Sequence, residues 1–490
     1  MSIFRKKPLA KLLAQAADHS GLKRTLTARG LVALGIGAVI GAGLFVRTAA
    51  ASGEAAGPAV TLSFVFAAIG CLFAGLCYAE FASMIPIAGS AYTYAYTTMG
   101  ELIAWVIGWA LVLEYAFGAG TVSIAWSEYL NKLCGGGIPY SWCHSPFEVD
   151  PVGGAHGIMN IPALFIVLIL TLLLIKGTSE SATVNGIIVA VKVGIVLAFI
   201  AIGWSFINPA NHTPFMIPEG IKGHEGFFQH GWGGVLRGAG IVFFAFIGFD
   251  AVSTAAQETI NPGRDMPIGI LGSLAVCTLL YILFGWVLTG VAPYPEFLLA
   301  GKEASVAYAI QHHMPGFEWL ATLVTVAILA GFSSVILVML MGGSRVFFTM
   351  ACDGLLPQLF SQIHPRFRTP YKSNIIVFCF VAMLSSFVPG DLLGDLTAIG
   401  TLFAFVLVCI GIWILRVKNP GQPRPFKTPL VPLVPILGVL FCITMIVSLD
   451  RYTQLVAFIW MLIGLVVYFM YGKAHSRLNE LEPSSVAPRA

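Results

Sequence analysis

Residues 30–46 read GLVALGIGAVIGAGLFV, and residues 238–253 read GAGIVFFAFIGFDAVS. Both are apolar enough for a membrane helix, yet both are thick with glycine: Gly35, Gly37, Gly41 and Gly43 in the first, Gly238, Gly240 and Gly248 in the second. Glycine costs a helix roughly 1 kcal/mol relative to alanine, so this density predicts two broken helices. Glycines can also serve close helix packing, and in one span alone that explanation would be the better one. Here the interrupted spans are the first and the sixth. Five spans apart is an odd number, so the two helices run in opposite directions, as in an inverted-topology repeat whose broken helices meet near the membrane midplane.

The rest of the chain supports a membrane setting. Of 490 residues, 57% are hydrophobic and 10% charged, against about 25% charged in a soluble domain, and the mean hydropathy is +0.86. Apolar stretches near the roughly 20 residues a span needs occur at 28–52, 58–86, 98–131, 158–176, 183–207, 232–257, 267–291, 318–350, 374–389, 393–416, 429–449 and 453–472. The expected fold is therefore an all-α polytopic membrane protein with twelve transmembrane helices. It divides into an N-terminal segment (1–27), a first repeat (28–207), a second repeat (232–416), two further helices (429–472) and a tail (473–490).

Lys and Arg set the orientation. They gather in the N-terminal segment, the even-numbered loops and the tail, while the opposite loops hold only Lys132, Lys222, Lys302 and Arg451. Both termini are expected in the cytoplasm and the chain in the plasma membrane, with lipid as its surroundings. Residues 1–29 are polar and basic, without the apolar core of a cleavable signal. The net charge of +4 implies no nucleic-acid partner, because the basic residues flank apolar spans. No phosphate-binding loop is present: Gly35, Gly37 and Gly41 lack the spacing, preceding strand and acidic partner of a dinucleotide fingerprint. No nucleophile–base pair or metal spacing occurs in the spans, which argues against an enzyme and predicts no cofactor. Cys134 and Cys143 share the loop LCGGGIPYSWCHSP on the side that permits disulfides, and a bridge between them is expected.

A broken helix exposes backbone groups. Free N–H groups around Ile40, Gly41, Ala42 and Gly43 suit a carboxylate. Free carbonyls there, and near Phe244, Ala245, Phe246 and Ile247, suit an ammonium. Together they describe a receptor for an α-amino acid. Few ionisable groups lie within spans. A charge at the bilayer centre costs about 2.5–3.5 kcal/mol on insertion scales, so Lys192, in TVNGIIVAVKVGIVLAFIAIG, needs a partner or a use. It reads as a proton-coupling group, a structural strut, or a residue nearer the interface than its position suggests. Glu114 reads as a substrate or proton contact, or as a carboxylate bonded between helices. Asp250 and Glu80 fit structural or gating roles. Ser333 and Ser334 either bond back to their own helix or face the site.

The stretches VALGIGAVIGAGLFV, IPIAGSAYTYAY, GELIAWVIGWALVLEY, FFAFIGFDAVSTAAQETINPGRDMPIGI and RVFFTMACDGLLP resemble the amino acid–polyamine–organocation superfamily, in particular its cationic amino acid transporter family. The resemblance covers about residues 26–370. It implies the five-plus-five inverted-repeat fold of the leucine transporter with two added helices. It also implies carboxylate binding at Ala42 and Gly43, amine contacts to the carbonyls of Ile40, Phe244 and Ile247, and an aromatic gate at Phe244. Lys192 falls where proton-coupled bacterial relatives keep a lysine, and its ammonium would reach the carbonyls of Gly37 and Ile40 and the hydroxyl of Ser334. Animal members of the family lack that lysine, and Gln257 stands where relatives often have Glu. The expected activity is proton-coupled import of cationic or small neutral L-amino acids by alternating access, with amino acid and proton as the partners. The alternatives are an exchanger, a channel, or a sensor or subunit that requires a small single-pass membrane protein.

Overall fold

Thr27 opens the first helix by accepting a hydrogen bond from the Gly30 N–H on its side-chain oxygen at 3.4 Å. The computed structural model describes residues 5–7, 26–85, 90–150, 153–176, 182–221, 223–299, 305–367 and 369–480. Most of the N-terminal segment, the last ten residues of the tail and the PIAG of IPIAGS lie outside the described residues. The helices that matter below are α1 (Ala28–Val39), α2 (43–56), α3 (Val60–Met84), α4 (Ser90–Thr98), α5 (Glu101–Leu133), α6 (Ile161–Lys176), α7 (Ala182–Gly203), α8 (Gly231–Phe246), α9 (Asp250–Glu258), α10 (Pro262–Val291), α11 (Glu318–Cys352), α12 (Tyr371–Phe387), α13 (Gly390–Lys418), α14 (Leu433–Ser448) and α15 (Arg451–Val467).

Among the described residues, seven helical runs are long and apolar enough to cross a membrane, and five shorter apolar helices accompany them. The chain is an all-α multi-pass membrane protein. One run, Gly43–Met84, joins two expected spans. They are separated by a turn at Gly57, whose φ of 60° favours glycine, and by Pro58. Helix α10 starts at Pro262, five residues before the expected boundary, because Pro at the first helical position loses no intrahelical bond.

Packing sorts the helices into two groups. One holds α1, α3, α8 and α10, and the other α5, α6, α11 and α12. Helix α7 touches α1, α10 and α11, and α13 touches α3 and α5, so each lies against both groups. Residues 5–7 and 476–477 dock at the same end of the molecule. The carboxylate of Glu101, at the start of α5, faces Arg5 at 3.6 Å and accepts from Ser476 Oγ at 2.5 Å and Tyr468 OH at 2.9 Å. Asp353, just after α11, accepts from Lys7 Nζ at 2.7 Å and Tyr92 OH at 2.9 Å, and its backbone carbonyl takes the Arg477 N–H at 3.1 Å.

At the other end, the loop after α5 corrects one expectation: Cys134 and Cys143 are free thiols. Cys134 is exposed at the C-cap of α5, whereas Cys143 is buried against Ser127 and Glu128, and burial pushes its thiol up to about 11. The two side chains thus occupy different surroundings.

Candidate functional site

Both predicted breaks exist. Helix α1 stops at Val39, and Ile40 turns extended with φ −72° and ψ 106° before the chain resumes helical geometry at Ala42. Helix α8 tightens over Phe243–Phe246, Ile247 turns extended, and Gly248 takes φ 110°. A Cβ on Gly248 would sit 2.9 Å from the Ala38 carbonyl oxygen. The breaks meet backbone to backbone: a Cβ on Gly43 would overlap the Cα of Ala245 and fall 2.5 Å from its nitrogen. Ile40, Gly41, Ala42, Gly43, Phe244, Ala245 and Ile247 are all buried.

A helix end leaves its last carbonyls without intrahelical partners, and at α1 two of them already have donors. The Gly37 carbonyl accepts from the ammonium of Lys192 at 3.0 Å. The Val39 carbonyl lies 3.0 Å from the hydroxyl of Tyr281, on α10, which lies 2.9 Å from the Ala245 carbonyl as well. The Phe244 carbonyl, expected for the substrate amine, accepts the Ile247 N–H at 3.3 Å. The stem of Lys192 crosses Gly331 of α11, where a Cβ would fall 2.9 Å from its Cε. Ser334 is buried three residues further along α11, while Ser333 bonds back to Leu329.

Glu114 sits in a π-helical turn, Leu113–Phe117, within α5. Such turns often mark functional positions. It is 1% exposed, and the carboxyl of Asp250 and the hydroxyl of Thr401 face it. The structure therefore brings Glu114 to Asp250, a pairing the sequence did not suggest.

Charged clamps stand at both ends of α13. Arg47 of α2, almost fully buried, pairs with Asp391 at 3.2 Å and with Asp395, and Gly394 leaves room for its guanidinium. Glu54 and Arg237 stand 3.8 Å apart nearby. At the terminus-bearing end, the fully buried Glu80 of α3 accepts from Arg416 Nε and Nη2 at 2.8 and 2.9 Å and from the Thr428 N–H at 2.8 Å. Arg424 adds an ion pair at 3.1 Å. Sequence reasoning missed Tyr281, Gly331 and the Arg47 cluster. Arg47 had a signal, a lone charge in GLFVRTAA opposite two acids four apart in GDLLGDL; Tyr281 and Gly331 had none.

Comparison with known proteins gives the family. The amino acid permease family model matches residues 26–468. The chain is 44% identical to the branched-chain amino acid permease BcaP of Bacillus subtilis, over 98% of this chain and 99% of that one. It is 41% identical to the methylthioribose transporter of the same organism, over 98% and 100%. It is 36% identical to the vacuolar cationic amino acid transporter 2 of Arabidopsis thaliana, over 86% of this chain and 65% of that one. A chain whose two helices break against each other, matched along nearly its whole length by permeases, belongs to the amino acid permease family of transporters.

Proposed function

We propose that this protein is a secondary active transporter that imports L-amino acids by proton-coupled alternating access. Its helices are taken as twelve spans, arranged as a five-plus-five inverted repeat plus two, with both termini in the cytoplasm. The observation that carries the proposal is the junction of the breaks, where Gly43 lies on Ala245 and Lys192 holds the Gly37 carbonyl. The N–H groups at Ala42 and Gly43 would take the substrate carboxylate. The amine would use carbonyls near Ile40 and Ile247. The protonated form of Lys192 fastens α1 to α7 and α11, and losing that proton removes the donor and frees the end of α1. The Arg47 clamp closes the outer side of the site and opens in the outward-facing state.

Apolar walls and the engagement of Glu114 with Asp250 favour small neutral and branched substrates over cationic ones. The relative named for methylthioribose supports a second reading, a neutral thioether sugar that would use the polar backbone without a carboxylate. Proteoliposomes holding the purified chain alone decide between them. Uptake of labelled leucine, alanine, lysine and methylthioribose would be compared with and without an inward proton gradient. Gradient-driven leucine accumulation is expected. Binding without flux would instead indicate a sensor or a need for another subunit, and exchange without gradient-driven accumulation would indicate an exchanger.

A further inference from the structure

A groove of about 1040 Å³ lies at the terminus-bearing end, between the start of α10 and the segment after α13. Pro267, Ile268 and Leu271 form one wall, Pro425 and Phe426 the other, and Arg264 lines it too. The groove is separate from the junction of the breaks.

Depth can be read from helix length. The 30 residues of α10 span roughly 45 Å at 1.5 Å per residue, against a hydrocarbon layer of about 30 Å. Centred in the bilayer, the helix leaves about five residues beyond the hydrocarbon at each end. Arg264 then lies at the level of lipid phosphates, and Ile268 and Leu271 lie among acyl chains. Arg264 is exposed, as is Lys427, which directly follows Phe426. Arg424, by contrast, turns inward to Glu80 and the Asn419 carbonyl. Below the groove, Ile268, Val276 and Leu279 are exposed and continue along α10 at helical spacing. A small soluble anion would leave that stripe unused, and a neutral apolar ligand would leave the two cations unused.

We propose that this groove holds an anionic phospholipid, with its phosphate at Arg264 and Lys427 and an acyl chain along Ile268, Val276 and Leu279. The site has a direct line to moving parts. The Pro425–Phe426 wall belongs to the segment that Arg424 and Thr428 tie to Glu80 of α3. Gly272 of α10, in the same groove, backs onto Val32 of α1 so closely that a Cβ would fall 2.9 Å from Val32 Cγ2. A lipid seated here braces the ends of α1, α3 and α10 together.

The test uses delipidated full-length protein titrated with phosphatidylglycerol or phosphatidylcholine. Retention is read by native mass spectrometry and stabilisation by thermal unfolding. Phosphatidylglycerol should be retained in preference, and Arg264→Gln and Lys427→Gln should each weaken it roughly fivefold, the effect of one cation near a membrane surface. Leu271→Trp, which fills the groove without changing charge, should reduce retention of either lipid; if it fails to fold, the charge variants decide alone. Equal retention of the two lipids, or retention untouched by the charge variants, overturns the proposal in favour of ordinary annular lipid. Equal stabilisation by soluble glycerol 3-phosphate overturns it in favour of a simple anion site.

Discussion

The ammonium of Lys192 donates to the carbonyl of Gly37 at 3.0 Å, two residues before α1 ends at Val39. A buried cation thus takes a carbonyl that the helix end leaves without an intrahelical donor, and the bond reaches from α7 to the first break. Lys192→Gln and Lys192→Ala remove the charge while leaving the break. Both are expected to abolish the dependence of uptake on a pH gradient, measured in proteoliposomes with fixed inner pH. Unchanged gradient-driven accumulation in both variants would exclude Lys192 from coupling.

Two glycines of the first break should respond differently to the same change. At Gly43 a Cβ meets the backbone of Ala245, which cannot yield, whereas at Gly41 it meets Val335 Cγ2 at 3.0 Å, a side chain that can shift. Gly43→Ala should lose substrate binding in a thermal-shift titration. Gly41→Ala should keep it within about tenfold, since overpacking against a movable side chain costs on the order of 1 kcal/mol. Equal loss at both positions would count against backbone contact between the breaks.

Tyr281 supplies one hydroxyl proton to two carbonyls, those of Val39 and Ala245. Tyr281→Phe leaves both without this donor in a buried place. The expected cost is about 1–3 kcal/mol, seen as a lowered unfolding midpoint, together with weaker substrate binding. A variant as stable and as active as the parent would show that water replaces the hydroxyl.

Of the two clamps on α13, the one at Arg47 should be the one that opens. Asp391 is nearly half exposed, whereas Glu80 is fully buried and saturated with donors. Removing one partner of a buried ion pair costs about 3–5 kcal/mol. Glu80→Gln should therefore reduce the folded yield, while Asp391→Asn, which spares the buried Arg47–Asp395 pair, should leave the protein folded and raise the labelling rate of a cysteine placed at Ile40 by a membrane-impermeant reagent added outside. No change in labelling would remove the Arg47–Asp391 pair from the gate.

The loop after α5 carries a pH dependence of its own. Burial lowers the proton affinity of His144, but its hydrogen bond to Glu128 at 3.0 Å and that carboxylate's charge outweigh burial and hold the imidazole at about 9. The folded value exceeds the unfolded one of about 6.5, so the stabilisation is complete below pH 6.5 and disappears as pH rises through 9. Parent and His144→Gln should differ most in unfolding midpoint at pH 6 and converge by pH 10. A difference constant across that range would contradict the ion pair.

Glycine density located both breaks to within a few residues, because the cost of glycine in a helix is a local property. The isolated charge of Lys192 likewise announced itself in an apolar run. What stayed hidden depended on which helices pack together. Tyr281 reads as an ordinary aromatic in LLYILFG, and only the meeting of α10 with both breaks gives its hydroxyl two acceptors. Gly331 looks like helix packing until the lysine stem is seen crossing it. Glu114 was visible as a buried acid, but Asp250 as its neighbour was not, since 136 residues separate them. The expected disulfide failed for a similar reason: spacing measures reach along the chain and says nothing of which thiol faces inward.

Glu101 receives both Arg5 and Ser476 on one carboxylate oxygen, and Asp353 receives both Lys7 and the Arg477 amide. Residues 5–7 and 476–477, far apart in the sequence, therefore share a mooring. Among the described residues these two segments nearly close a ring, and a short splice from residue 480 to residue 5 would join them. New termini could then be cut into the Gly135–Gly136 turn after α5, where both glycines have open space around them, so that the permuted chain would begin and end at the far end of α5 from Glu101.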